Sequence, residues 1–160
     1  MPTVETPFWG DDLLVTEALT PIAVMRQAAA QLPAITKNLL EAEIETSSDV
    51  NDSVDHTFSI IAPGLDRYAC PIFTVRHNDM LVYPTTTHRL AMVMEEKEDN
   101  SWFDDTEDEL RASIRKILAS GRVKAIIYSL LAKLNEKTVE SNEQMLERIN
   151  QAKARHASQP

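Results

Sequence analysis

The chain has 160 residues, a net charge of −9, a hydrophobic fraction of 43% and a charged fraction of 26%. These totals describe one packed domain with tails, and they exclude a chain-wide affinity for nucleic acid. Only Gly10, Gly64 and Gly121 are glycines, so neither a dinucleotide-binding fingerprint nor a P-loop can be assembled, and no cofactor is expected.

The apolar run Ala125 to Ala132 is too short to cross a bilayer. No basic stretch followed by an apolar one opens the chain, so no signal peptide and no membrane partner are expected. Cys70 is the only cysteine, which excludes an internal disulfide and fits a reducing cytoplasm. Charge is unevenly spread: residues 1–94 carry −7, residues 95–109 carry −8 and residues 110–160 carry +6. The last third is a basic segment on an acidic protein, either complementary to the chain's own acidic loops or a patch for an anionic partner.

In chain order, residues 1–19 form an apolar and acidic arm containing Pro7-Phe8-Trp9-Gly10-Asp11-Asp12-Leu13-Leu14. A short helix capped by Asp11 or Asp12 is compatible with it. Thr20-Pro21 starts the next helix, with Thr20 as cap and Pro21 where a missing N–H costs nothing. Ile22, Met25, Ala29 and Leu32 follow at helical spacing, and Pro33 is expected to end or kink the helix.

The period then changes to two. Leu40, Ala42, Ile44 and Thr46 alternate with Glu41, Glu43 and Glu45, giving a half-buried strand with an acidic face. Residues 47–55 read as a polar loop. Residues 56–62 are a second strand, and residues 68–77 a third, which Pro71 marks as an edge or a bulge. Asn78-Asp79 predicts a two-residue hairpin turn that sets His77 opposite Met80 and Val75 opposite Val82, making residues 80–84 a fourth strand. Residues 88–96 read as a fifth.

Residues 95–105 read as an acidic connection in which Trp102-Phe103 acts as a loose staple before a helix capped by Thr106 and Glu109. Leu110, Ile114, Ile117 and Leu118 give that helix its apolar stripe. Ser120-Gly121 breaks it. The final helix shows Val123, Ile126, Ile127, Leu130, Leu131 and Leu134 as a core-facing stripe. After Asn135 the pattern thins to Val139, Leu146 and Ile149, a weak helix or partly ordered tail. The fold expected is α+β: an N-terminal helix, an antiparallel meander of four or five strands, then two or three C-terminal helices. The divisions expected are an arm over 1–19, a core domain over 20–135 and a polar helical tail over 136–160.

Chemistry-bearing residues are sparse. His77, Asp79 and His88 lie near one hairpin, with Cys70 a strand-length earlier, but their spacing matches no zinc motif, and no metal is expected. Cys70 carries no signature of an activated nucleophile and reads as a small buried apolar residue. Glu41, Glu43 and Glu45 share one solvated strand face rather than flanking a cleft, unlike a glycosidase pair. Arg111, Arg115, Arg122 and Lys124 offer an anion-binding surface, with Tyr128 as the sole aromatic for stacking.

The arm is the feature the core does not explain. Phe8, Trp9, Leu13 and Leu14 beside Asp11 and Asp12 suit an apolar segment that docks on its own domain or in a partner's groove. The function expected is therefore a non-enzymatic protein-binding module: an adaptor, an immunity-type inhibitor or an assembly subunit, with self-association among the options. The alternatives are a nucleic-acid or anionic-ligand accessory role through the basic helices, and a metal-dependent hydrolase at the His77–His88 hairpin.

Overall fold

The computed structural model describes residues 16–158 and Trp9. Helix α1 (Pro21–Ile35) precedes a five-stranded antiparallel sheet of β1 (Glu41–Ser48), β2 (Ser53–Ala62), β3 (Tyr68–Asn78), β4 (Thr85–Arg89) and β5 (Ser101–Asp104). Helices α2 (Glu107–Leu118) and α3 (Gly121–Ala157) follow. The strands lie side by side in chain order, so the sheet is a simple meander. The architecture is α+β, with helices segregated from strands.

Each helix begins where its side chains satisfy orphan backbone donors. The hydroxyls of Thr20, Thr106 and Ser120 accept hydrogen bonds from the backbone N–H groups of Ala23, Glu109 and Val123. Glu109 reaches back to accept from the N–H of Asp105 at 2.6 Å, the reciprocal half of a capping box shifted by one residue. Pro33 sits in the last turn of α1, where only Ile35 remains to be accommodated beyond the next residue. Lys37 and Asn38 then take positive φ and reverse the chain into β1.

The strands depart from the sequence pattern in three places. Part of the polar stretch expected to be loop is strand: β1 continues through Ser48 and β2 begins at Ser53. Only Asp49 to Asp52 turns the chain, and the Asp49 carboxylate accepts from the N–H groups of Asn51 and Ser53. Pro71 lies in β3, which is an interior strand and not an edge, but the bulge expected as the alternative is present: the register shifts between Phe58 and Ser59 and leaves Ile72 of β3 as the extra residue beside Pro71.

The third departure is larger. Asn78-Asp79 does not form a two-residue hairpin, and residues 80–82 are not a strand. His77 is opposite Thr85 and Val75 opposite Thr87. The Asn78 side chain accepts from the Met80 N–H, and the Asp79 N–H donates to the Asp52 carbonyl, so this loop is tied to the neighbouring turn instead of folding back. Met80 and Leu81 are exposed. The β-branched Thr85 to Thr87 run supplies β4, and residues 91–93 beyond it form a 3-10 turn rather than a fifth strand. The fifth strand is Ser101–Asp104, so Trp102-Phe103 belongs to a sheet edge and not to a helix staple.

The pleat sorts the strands into two faces. The side toward the helices carries Ala42, Ile44, Phe58, Ile60, Phe73, Val75, Thr85, Thr87, Trp102 and Asp104. Glu41, Glu43 and Glu45 lie on the far side and are exposed. The core joins the helix-facing strand residues to Val24 and Met25 of α1, Leu110, Ile114 and Ile117 of α2, and Val123, Leu130 and Leu134 of α3. At its centre Phe58 and Phe73 stack with ring centroids 5.0 Å apart.

This layout gives opposite expectations for two apolar segments. Phe73→Ala should destabilise the fold by about 3–5 kcal/mol, whereas Met80→Ala and Leu81→Ala should each change stability by less than about 0.5 kcal/mol. Urea denaturation of the three variants checks this. A large loss from the loop variants would restore residues 80–84 as a core strand.

Candidate functional site

The sheet regroups the histidines. His77 faces the helices, whereas His88 pairs with Thr74 and lies on the far face with Asp55 and Arg76. The pleat therefore separates the pair proposed from sequence. Cys70 pairs with Ile60, so the bulge returns it to the helix-facing side. It is nevertheless seven residues from His77, about 23 Å along an extended strand. Burial raises its thiol pKa, the opposite of what a nucleophile needs. Among the described residues no cluster of three or more His, Cys, Asp or Glu is placed to hold a metal.

The true partner of His77 is His56, from β2. Their Nε2 atoms are 2.9 Å apart, Thr46 Oγ1 is 2.8 Å from His56 Nδ1, and His77 Nδ1 is 2.7 Å from the Asn78 carbonyl oxygen. The carbonyl can only accept, so His77 carries its proton on Nδ1 and accepts at Nε2. His56 then donates from Nε2 and accepts the Thr46 hydroxyl proton at Nδ1. Every position in this chain is filled when both rings are neutral. His56 is buried. Burial lowers its pKa, with His77 and Arg26 adding to the effect and Asp55 opposing it. The signal for His56 was present in the alternation Val54, His56, Phe58, Ile60, which places it among core residues.

The basic residues divide as well. Arg111 and Arg115 line a groove of about 440 Å³ between α1 and α2, with Gln27 and Gln31 across from them. Arg111 is already engaged: its Nε donates to Glu107 at 2.9 Å and its Nη2 to Gln27 at 2.8 Å. Arg122 lines a different groove of about 270 Å³, with Lys133, Tyr68 and Met92. Lys124 is exposed and lines neither. The four cations do not form one surface.

Glu107 also fixes the root of the N-terminal arm. Its second oxygen accepts the Leu19 N–H at 2.8 Å, and the Tyr83 hydroxyl donates to the Leu19 carbonyl at 2.8 Å. Both backbone groups of Leu19 are thereby held. The backbone bond to Leu19 and the side-chain bond to Arg111 lower the Glu107 pKa. Burial, reinforced by Glu107, pushes the Tyr83 phenol up to about 12, so it stays a donor. Within the arm, Trp9 is exposed. Phe8, Asp11, Asp12, Leu13 and Leu14 lie outside the described residues.

Sequence reasoning also missed Arg89. Its guanidinium is almost fully buried, 5.1 Å from the Trp102 ring and 3.5 Å from Glu98, while Lys116 approaches the same ring at 5.6 Å. Two cations thus lie near the Trp102 ring, whose electron-rich face attracts positive charge. Nearby, buried Asp104 accepts from the hydroxyls of Thr87 and Ser113, joining β4, β5 and α2.

Among the described residues, the far half of α3 stands clear of the core. The helix is 37 residues long. Leu134 is its last buried residue, packed over Gly64 so closely that a Cβ there would meet it at 2.6 Å. Lys137 donates to the Gly64 carbonyl, and every residue from Asn135 to Ser158 is exposed. From Thr138 to Ala157 the helix projects for about 30 Å. It carries Val139, Met145, Leu146 and Ile149 into solvent. No helix among the described residues is long and apolar enough to cross a membrane. No protein-family model, curated protein or solved structure matches this chain.

The histidine pair has a measurable consequence. Its folded pKa is lowered at His56, so on acidification the unfolded chain binds that proton before the folded one. Stability is therefore fully present above the unfolded value near 6.5 and falls as pH drops below it. His56→Gln retains a donor and an acceptor but does not titrate. It should flatten the stability profile below pH ~6.5 by up to about 1.4 kcal/mol per pH unit, the limit for one proton. Denaturation at a series of pH values checks this; an unchanged slope would exclude His56 as the responsible group.

Proposed function

We propose that this chain is a non-enzymatic protein-binding module, an adaptor, inhibitor or assembly subunit, that holds its partner through the projecting half of α3 and the N-terminal arm. The observation that carries the reading is the run of exposed apolar side chains, Val139, Met145, Leu146 and Ile149, on a helix that has already left its own core. Apolar side chains on such a stalk do nothing for the domain behind them, and helix faces of this kind are used to engage other proteins.

Two further features favour the reading. The arm offers Phe8, Trp9, Leu13 and Leu14 beside Asp11 and Asp12, and its root at Leu19 is pinned by Glu107 and Tyr83. Rigid anchoring of a docking segment reduces the ordering cost of binding. The body is acidic, with Glu41, Glu43 and Glu45 exposed on the far face of the sheet, so a basic segment complements it. The scattering of Arg111, Arg115, Arg122 and Lys124 over separate grooves weighs against the nucleic-acid alternative.

The test is affinity capture from the protein's own cells with three chains: the full sequence, residues 1–137 and residues 17–160. With cross-linking before lysis, the full chain should retain a protein partner, and residues 1–137 should lose it while keeping a thermal midpoint within a few degrees of the full chain's. Loss on removing residues 1–16 as well would assign the arm its share. Equal capture by both shortened chains, or none by the full chain, contradicts the proposal.

A further inference from the structure

Charge along the projecting helix is segregated. From Asn135 to Glu147 there are four acids, Glu136, Glu140, Glu143 and Glu147, against Lys137; from Arg148 to Ala157 there are three bases, Arg148, Lys153 and Arg155, and no acid. A helix with this distribution repels a parallel copy of itself along its whole length and attracts an antiparallel one.

The segment is also a poor helix by itself. Glu136–Glu140 and Glu143–Glu147 are like charges four residues apart, which destabilise an isolated helix. Thr138, Val139, Ser141 and Asn142 have low intrinsic preference for it. The packed first half of α3 supplies the nucleus for this stalk, and each of these features weakens its propagation. Yet α3 runs unbroken to Ala157. Packing against another helix offsets such a weakness.

We infer that the partner is a second copy of this chain, bound antiparallel through residues 138–157 of α3. This inference rests on the protein-binding reading above and names the partner. The body limits the overlap, because the contact of Leu134 and Lys137 with Gly64 marks where the domain begins. Full overlap of residues 138–157 brings the C-terminal end of each helix to the base of the other. The symmetry axis then lies between Glu147 and Arg148. Leu146 meets the partner's Ile149, twice by symmetry, and Glu143 lies beside the partner's Lys153. Val139, Asn142, Leu146, Ile149, Lys153 and His156 fall on alternating three- and four-residue spacings, the seam of an antiparallel coiled coil. Met145 flanks the central layers. Three of the six seam positions are apolar, so the association is weak to moderate and sensitive to salt.

Sedimentation velocity of the full chain, from about 1 µM to about 1 mM, covers the range in which so small a seam associates. The mass should rise from one chain to two, and far-UV circular dichroism should lose helix on dilution. Leu146→Glu should remain monomeric throughout, at an unchanged thermal midpoint for the domain. Glu143→Lys and Lys153→Glu should each weaken dimerisation by about tenfold or more, and the two together should restore it. A Val139→Cys chain should form no disulfide-linked dimer, since Val139 faces the partner's His156. A full chain that stays monomeric overturns the inference; if it then captures a different protein that residues 1–137 do not, the protein-binding reading alone survives. A dimer insensitive to Leu146→Glu, or linked efficiently through Val139→Cys, also overturns it.

Discussion

The helix-facing sides of β2 and β3 set the terms for every other element. Phe58, Ile60, Phe73 and Val75 form an apolar layer that the three helices cover. Burial of such a layer is the main favourable contribution to folding and is roughly proportional to area. It requires α1, α2 and the first part of α3 to lie on one side, which leaves Glu41, Glu43 and Glu45 toward solvent on the other. It also fixes how much of α3 is used. Val123, Leu130 and Leu134 reach the layer; nothing beyond Leu134 does, so a helix of 37 residues serves as a wall for its first half and a stalk for its second.

Several buried polar groups hold this packing together. Asp104 ties Thr87 to Ser113, and Thr46, His56, His77 and the Asn78 carbonyl form a closed donor-to-acceptor chain. Glu107 links Leu19 to Arg111. Buried polar groups with partners rigidify a core. Arg89 differs, since Nε and Nη1 lack hydrogen-bond partners among the protein groups; its charge is balanced by the Trp102 ring and by Glu98 at the surface.

The sequence was informative where one period held over a whole element. The alternation through Leu40 to Thr46, the stripe of α2 and the stripe from Val123 to Leu134 each located a buried face. Thr20 and Thr106 marked helix starts because capping is a local hydrogen bond, whereas Ser120, read as a break, also caps α3. It failed where a partner strand decided the outcome. Met80, Leu81 and Val82 look like strand residues, yet β3 pairs with Thr85 to Arg89, a choice made by inward-facing Thr85 and Thr87 against Asp104 and Trp102. Ser101 to Asp104 resembled an acidic connection because a four-residue edge strand shows barely two periods of alternation. His56 was overlooked beside His77 because 21 residues separate them, and only the register of β2 against β3 brings their rings together.

The end of α3 was the hardest part to read. A sparse apolar stripe in polar sequence describes a fraying tail as well as a helix awaiting its partner, and these differ only in what binds. The proposed function requires this chain to be joined to another protein chain. The most direct measurement is the native mass of the untagged protein purified from its own cells. A mass above the 18.0 kDa of one chain is the predicted result. A lone 18.0 kDa species at cellular concentration would contradict the account.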